Sequence, residues 1–318
     1  MLRSLLLNLS KSAWAKRQIG RFWVARRVAG RFVAGEQPED AIRAIRDLNA
    51  RGIVATVDHL GESVTDGDAA VHAAEEYLEI LELIAHAQVR SNASLKLSQL
   101  GLNLSIDLCA ANLSKVLERA RSLRLFVRID MEDSPSVDRT LDIYQRMRSA
   151  GFENTGVVIQ SYLYRSEQDV ARLLKSNTRI RLCKGAYKEP ASVAYPAKRD
   201  VDASFFKLGK MMLDAAAAVK QPADPGGTTP PIPGLATHDE RLVRALMAYA
   251  DARRIPKTLY EFQMLHGIRR DLQEELAALG YGVRVYVPYG REWYPYFMRR
   301  LAERPANLWF FVSNLFRA

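Results

Sequence analysis

Short runs of aliphatic and β-branched residues alternate with longer stretches whose apolar positions recur every three to four residues. The short runs predict strands at 52–57, 93–98, 125–129, 156–160, 179–183, 234–237, 258–262 and 283–287. The longer stretches predict helices at about 68–88, 109–122, 134–150, 166–175, 200–219, 239–253 and 264–279, and an eighth from about 291. Local signals support these limits. Asp133-Ser134-Pro135 is an N-cap with a proline entry, Ser166-Glu167-Gln168-Asp169 resembles a capped first turn, and Gly151 and Gly280 stand where C-terminal caps belong. Eight strand-helix units predict an α/β fold, a closed (β/α)8 TIM barrel at 39–318, preceded by a helical arm at 1–38. An open doubly wound sheet is disfavoured, because no strand is followed by GxGxxG and polar residues gather at the strand ends.

A barrel gives those ends a meaning, since its chemistry sits where strands run into helices. The ends carry Asp58, His59 and Glu62; Lys96 and Gln99; Asp130, Met131 and Glu132; Gln160 and Tyr162; Arg181, Lys184, Gly185 and Tyr187; Thr237, His238 and Asp239; Glu261 and Gln263; Tyr286, Tyr289 and Arg291. Lys96, Asp130 and Arg181 lie in otherwise apolar strands, where an isolated charge is costly, so they must pair with one another or with a ligand. In the last helix Tyr296, Arg299, Arg300 and Glu303 fall at i, i+3, i+4 and i+7 and share a face. Two guanidinium forks on one face could grip a small carboxylate, with the acid orienting them and the ring closing over an aliphatic body. A solvated basic helix would look the same. The Gly-Gly-Thr-Thr of the 222–234 connection fails as a phosphate cradle, because no lysine follows and no strand precedes it, and it belongs on the opposite, lower face.

Composition narrows the surroundings. The chain has 318 residues, 48% of them apolar, and a net charge of +10. It has two cysteines, Cys109 and Cys183, without a CxxC or Cys/His cluster, so a disulfide framework and the usual zinc site are excluded. No apolar run approaches the roughly 18 residues that span a bilayer. Residues 1–35 hold eight Lys or Arg and no acid, interleaved with Leu, Trp, Phe and Val. Such an arm suits an anionic membrane surface, an organellar presequence, or an ordinary helix packed on the barrel. Nucleic acid is not expected, since no recognised motif accompanies the basic patch.

Eight ordered motifs carry a resemblance: KLSQLG at 96–101, RIDME at 128–132, VVIQSYLYR at 157–165, RLCKGAYKE at 181–189, LATHDE at 235–240, YEFQML at 260–265, VYVPYG at 285–290 and YPYFMRRLAE at 294–303. Together they resemble the proline dehydrogenases, in particular the compact single-function bacterial type. The resemblance implies a distorted barrel that holds FAD at its mouth and oxidises L-proline to 1-pyrroline-5-carboxylate. It implies that Lys96, Arg299 and Arg300 bind the carboxylate with Glu303 fixing the guanidinium groups, and that Leu182, Tyr187, Tyr286 and Tyr296 wall the ring. Asp130 and Arg181 take the catalytic places, Arg181 beside the flavin and favouring its reduced form. Met131, Gln160, Arg181, Cys183, Lys184, Gly185, Ala186, Lys198, Thr237 and His238 would hold the cofactor. Cys183 departs from the family, which commonly has Val there, and a small thiol fits that space. No metal is implied.

The expected electron acceptor is a quinone, reached from a cytoplasmic enzyme in peripheral contact with the inner face of the membrane. Hydroxyproline oxidation is a rival that Tyr286 opposes, since relatives of that type carry a smaller residue there. A folate-reducing barrel is opposed by the paired arginines. A basic adaptor without chemistry is the reading from a different class.

Overall fold

A parallel strand pair needs a crossover, and a helix on one face supplies it, so a run of such units curls into a closed sheet. The computed structural model describes residues 29–61 and 64–303, with side chains as far as Arg300. Helix α1 (Pro38–Ala50) leads into β1 (Val54–His59) and α2 (Gly67–Ala87), then β2 (Ser91–Lys96), α3 (Ile106–Ser122), β3 (Val127–Asp130) and α4 (Val137–Ser149). The second half runs β4 (Thr155–Gln160), α5 (Ser166–Leu174), β5 (Ile180–Cys183), α6 (Lys198–Val219), β6 (Pro233–Ala236), α7 (Glu240–Ala252), β7 (Glu261–Leu265), α8 (Arg270–Ala278), β8 (Gly282–Tyr289) and α9 (Trp293–Glu303). The strands close in sequence order, with β8 against β1 so that Val54 is level with Arg284 and His59 with Tyr289. Among the described residues no helix is long and apolar enough to cross a membrane.

Most boundaries move by one to three residues, and three departures from the periodicity have a clear local cause. Pro256 starts a 3-10 turn at Lys257–Leu259, so β7 begins at Glu261 rather than 258. The segment after β7 turns through Gly267 and Arg269, both with positive φ, and α8 begins only at Arg270. Helix α1 was hidden by the basic arm before it. Pro38 opens it, and the Gln37 amide donates to the Asp40 carboxylate at 3.0 Å.

Strand alternation sorts the barrel in an unusual sense. One set of positions, including Val57, Leu95, Ile129, Ile159, Leu182, Phe262 and Val285, packs beneath the helices in a continuous apolar layer. The alternate set points to the axis and is polar: Thr56, Asn92, Ser94, Arg128, Arg181, Glu261, Gln263 and Arg284 are all buried. At the floor the Arg284 guanidinium donates to Glu261 Oε1 at 2.8 Å, to the Ala55 carbonyl at 2.6 Å and to the Gly227 carbonyl at 3.0 Å. Gly227 lies in the connection between α6 and β6, which therefore crosses the lower face as expected.

A second apolar cluster sits above the first. Phe32 is buried against Ile268 and against Trp293 and Phe297 of α9. The same segment bonds to the end of β8, through Ala34 N–H to the Pro288 carbonyl and Gly290 N–H to the Gly35 carbonyl, both at 2.9 Å. Arg31 runs so close over Gly267 that a β-carbon there would lie 1.7 Å from the Arg31 carbonyl oxygen. Residues 1–28, to which most of the arm's charge belongs, lie outside the described residues.

The floor pair gives a stability prediction. Arg284→Met leaves the Glu261 carboxylate buried without its cation and should cost about 3–5 kcal/mol. Glu261→Met/Arg284→Met removes both charges and should recover most of that loss. Denaturant unfolding of the two variants beside the parent reads the difference, and equal destabilisation by both would contradict it.

Candidate active site

The inward polar positions converge at the C-terminal mouth. The Arg181 guanidinium donates to Asp130 Oδ1 at 2.8 Å, to Ser94 Oγ at 3.2 Å and to Gln263 Oε1 at 2.6 Å. Ser94 in turn donates to Asp130 Oδ1 at 2.6 Å, and the Tyr286 hydroxyl to Asp130 Oδ2 at 2.7 Å. The guanidinium carbon lies 5.2 Å from the Tyr286 ring centre. Burial, reinforced by the Asp130 and Asp58 charges, pushes the Tyr286 phenol far above its ordinary range, so it stays a donor.

Across the mouth Lys96 Nζ lies 3.2 and 3.3 Å from the two Asp58 oxygens. Burial raises the Asp58 pKa, against the opposing pull of Lys96. Helix α9 covers this side. Its Phe297 face is pinned by the second apolar cluster, so Tyr296, Arg299 and Arg300 are turned to the mouth, with the Arg300 guanidinium 5.0 Å from the Tyr296 ring centre.

A cavity of about 1210 Å³ lies between these groups. Lys96, Asp130, Met131, Gln160, Arg181, Cys183, Lys184, Gly185, Ala186, Tyr187, Lys198, Thr237, His238, Tyr286, Tyr296, Arg299 and Arg300 all line it. Leu182 does not. The pleat that sends Arg181 and Cys183 inward sends Leu182 to the helix side, where it is fully buried in the main core, so its expected place in the substrate wall is corrected. The Glu303 side chain lies outside the described residues. Leu265 lines the cavity without having been expected there, because the displaced start of β7 concealed that it ends the strand. Asp58, Asp239 and Gln263 were visible as strand-end residues but had no assigned role. Only their partners reveal one.

The far end of the cavity carries two lysines paired with two carboxylates. Lys184 bridges Asp202 at 2.6 Å and Asp239 at 2.9 Å, and Lys198 lies 3.3 Å from Asp239. Burial alone would raise the Asp239 pKa, but the two lysines outweigh it and hold the carboxyl below its ordinary value. Nearer the strands, His238 Nε2 accepts the Leu265 N–H at 2.9 Å, which leaves Nδ1 to carry the hydrogen of the neutral ring. Gln160 donates to the Glu132 carbonyl at 3.1 Å, while its buried Oε1 has no partner among the described residues. Gly185, at φ +111°, lets its loop lie directly on the Tyr162 ring; a β-carbon there would come within 2.4 Å of it. Burial pushes the Cys183 thiol up to about 12, so it lines the wall as a neutral group.

Fold and cavity together define a (β/α)8-barrel enzyme with one large cavity at the C-terminal mouth, lined by cations, tyrosines and polar strand ends. A family model described as proline dehydrogenase matches residues 41–312. Proline dehydrogenase 2 of Bacillus subtilis is 39% identical over 98% of both chains, and the proline dehydrogenase of Deinococcus radiodurans is 41% identical over 91% of this chain and 90% of its own. The crystal structure of proline utilization A from Bdellovibrio bacteriovorus inactivated by N-propargylglycine superposes with a TM-score of 0.77 at 25% identity, covering 88% of this chain and 33% of that one. This chain thus spans about a third of that protein. The chain belongs to the proline dehydrogenase family. Membership makes it an oxidoreductase with a flavin cofactor, and the buried Gln160 acceptor, the lysine pair and the Gly185 loop fit such a group.

Gly185 supplies the test of this cavity. Gly185→Ala forces a side chain into Tyr162 at a positive φ, a strain of about 1–3 kcal/mol. Flavin affinity should fall by roughly tenfold or more, while the flavin-free protein loses no more stability than that strain. Parental flavin affinity would show that the loop does not hold the cofactor.

Proposed function

We propose that this enzyme oxidises L-proline to 1-pyrroline-5-carboxylate with FAD as its cofactor and passes the electrons to a quinone. The single observation that carries this reading is the convergence of Lys96, Arg299 and Arg300 with the Arg181–Asp130–Tyr286 cluster on one cavity. Three cations at one end suit a single carboxylate, and tyrosine rings beside them suit a small aliphatic ring.

In this reading Lys96, Arg299 and Arg300 hold the substrate carboxylate, and Tyr187, Tyr286 and Tyr296 enclose the pyrrolidine ring, with Leu265 as a further apolar neighbour. Glu303 orients the guanidinium groups. The fixed carboxylate orients the ring so that the carbon beside nitrogen faces the cofactor, and orientation is the protein's main contribution. Bound FAD supplies the two-electron acceptor for the hydride. Tyr286 retains its proton, because burial and the Asp130 carboxylate both oppose its loss, so it acts as wall and donor and not as the base. Arg181 places a fixed positive charge at the cavity floor, where electron density grows on reduction. Gln160, Met131, Ala186 and Thr237 line the ring and ribityl region, and Lys184, Gly185, Lys198 and His238 the remainder. Residues 1–28 offer cations to an anionic membrane surface, where a quinone is available.

Arg300→Met should lower kcat/KM for L-proline by roughly 2–4 kcal/mol in transition-state binding, with flavin content kept. Steady-state kinetics beside the flavin spectrum checks it; near-parental turnover would dissolve the clamp. Deletion of residues 1–28, which spares the packed Phe32, should abolish salt-sensitive sedimentation with anionic vesicles while dye-linked activity survives. Equal vesicle binding by the intact and truncated proteins would remove the membrane assignment.

A further inference from the structure

Gln263 is the side chain through which the barrel floor reaches the mouth. Glu261 and Gln263 are two residues apart on β7 and so share its inward face. Gln263 Oε1 accepts from Arg181 Nε at 2.6 Å, and its Nε2 donates to Glu261 Oε1 at 2.6 Å. The same Glu261 oxygen accepts from Arg284 Nε at 2.8 Å, and Arg284 is anchored on backbone carbonyls of Ala55 and Gly227.

The chemistry of these groups leaves the amide one orientation. A guanidinium only donates and a carboxylate only accepts, so a group between them must accept at one end and donate at the other. A primary amide of this reach does both. Turned over, it would set NH₂ against the guanidinium and oxygen against the carboxylate, leaving buried groups unsatisfied. Gly234 on β6 makes the room: a β-carbon there would lie 2.4 Å from Gln263 Nε2. All four side chains of the relay, Arg181, Gln263, Glu261 and Arg284, are at most 7% exposed, so a lost bond leaves a largely buried group short of a partner.

We infer that Gln263 is a positioning residue, which transmits the fixed Glu261–Arg284 ion pair to the Arg181 guanidinium and so sets where that positive charge faces the cofactor cavity. Asp130 and Ser94 hold one nitrogen, Nη1. The Nε bond to Gln263 holds a second atom of the planar group and prevents rotation about the Asp130 contact. Neither Glu261 nor Arg284 lines the cavity, and the two form an ion pair of opposite charges, so removing both together leaves the net charge unchanged and tests mainly the hydrogen-bonded relay.

The inference rests on the flavin reading, and the experiment separates the two. Gln263→Met, Gly234→Ala, the double variant Glu261→Met/Arg284→Met and the triple variant that adds Gln263→Met are purified with flavin. Flavin content, melting temperature, midpoint potential by spectroelectrochemistry, and kcat and KM for L-proline are measured. The relay predicts a lowered midpoint potential in Gln263→Met, Gly234→Ala and the double variant at parental flavin content. It also predicts a kcat about tenfold lower with KM changed much less, and no further shift in the triple variant, since one chain is cut twice. Parental potentials in Gly234→Ala and the double variant, or shifts that add in the triple variant, would overturn the relay. Should the double variant not fold, Gly234→Ala alone decides, because it displaces only the amide. If the parent neither binds flavin nor is bleached by L-proline, the flavin reading itself falls.

Discussion

Everything at the mouth depends on a charge that the barrel cannot leave alone. Arg181 is buried on the inner face of β5, where an unpaired guanidinium would lose several kcal/mol of solvation. Asp130, Ser94 and Gln263 satisfy it from three other strands, and the strands are thereby held in one register across the axis. The usual barrel fills this space with branched aliphatic residues. Here most of the aliphatic residues lie on the helix side, and through the interior a hydrogen-bonded column runs from the floor at Gly227 to the mouth at Tyr286. The column is both a structural core and the base of the active site.

A polar core has a different mechanical character from an apolar one. Hydrophobic packing tolerates small shifts of shape, whereas a donor-only group facing an acceptor-only group has a narrow range of distance and angle. The site therefore inherits fixed geometry from below. Above it the opposite holds: α9 rests on the ring contacts of Phe32, Trp293 and Phe297, which define a surface and not a bond. Arg299 and Arg300 are carried into the cavity wall by the adaptable layer, and Arg181 by the rigid one.

The barrel was legible because its signal is repeated. Each of the eight strands is short with apolar residues at alternate positions, and each helix has its own period, so an error in one unit leaves the count unchanged. The β7 boundary failed where Thr258 and Leu259, good strand formers, are taken into a turn set by Pro256. The charged members of the site, Lys96, Asp130, Arg181 and Arg300, announced themselves as misplaced charges in strands or a cationic helix face. Gln263 and Gly234 gave no such signal: an amide carries no charge, and a glycine is silent until its neighbour is known. Leu182 was misplaced for the converse reason. It sits between two cavity residues in the chain, and a motif read as a string does not show that the pleat turns alternate residues to opposite faces.

The contact of Phe32 with Phe297 joins residues 265 positions apart, and the bonds of Ala34 and Gly35 to Pro288 and Gly290 do the same. A ribosome delivers these partners more than 250 residues apart. The sheet closes only when β8 reaches β1, and the helix bearing the clamp docks only once that closure has brought the early segment and the late one together. Contacts of such long range are slow to form and come late in folding. The wall of the cavity that carries Tyr296, Arg299 and Arg300 is thus completed only after the barrel has closed, and a chain that has built most of the barrel still lacks it.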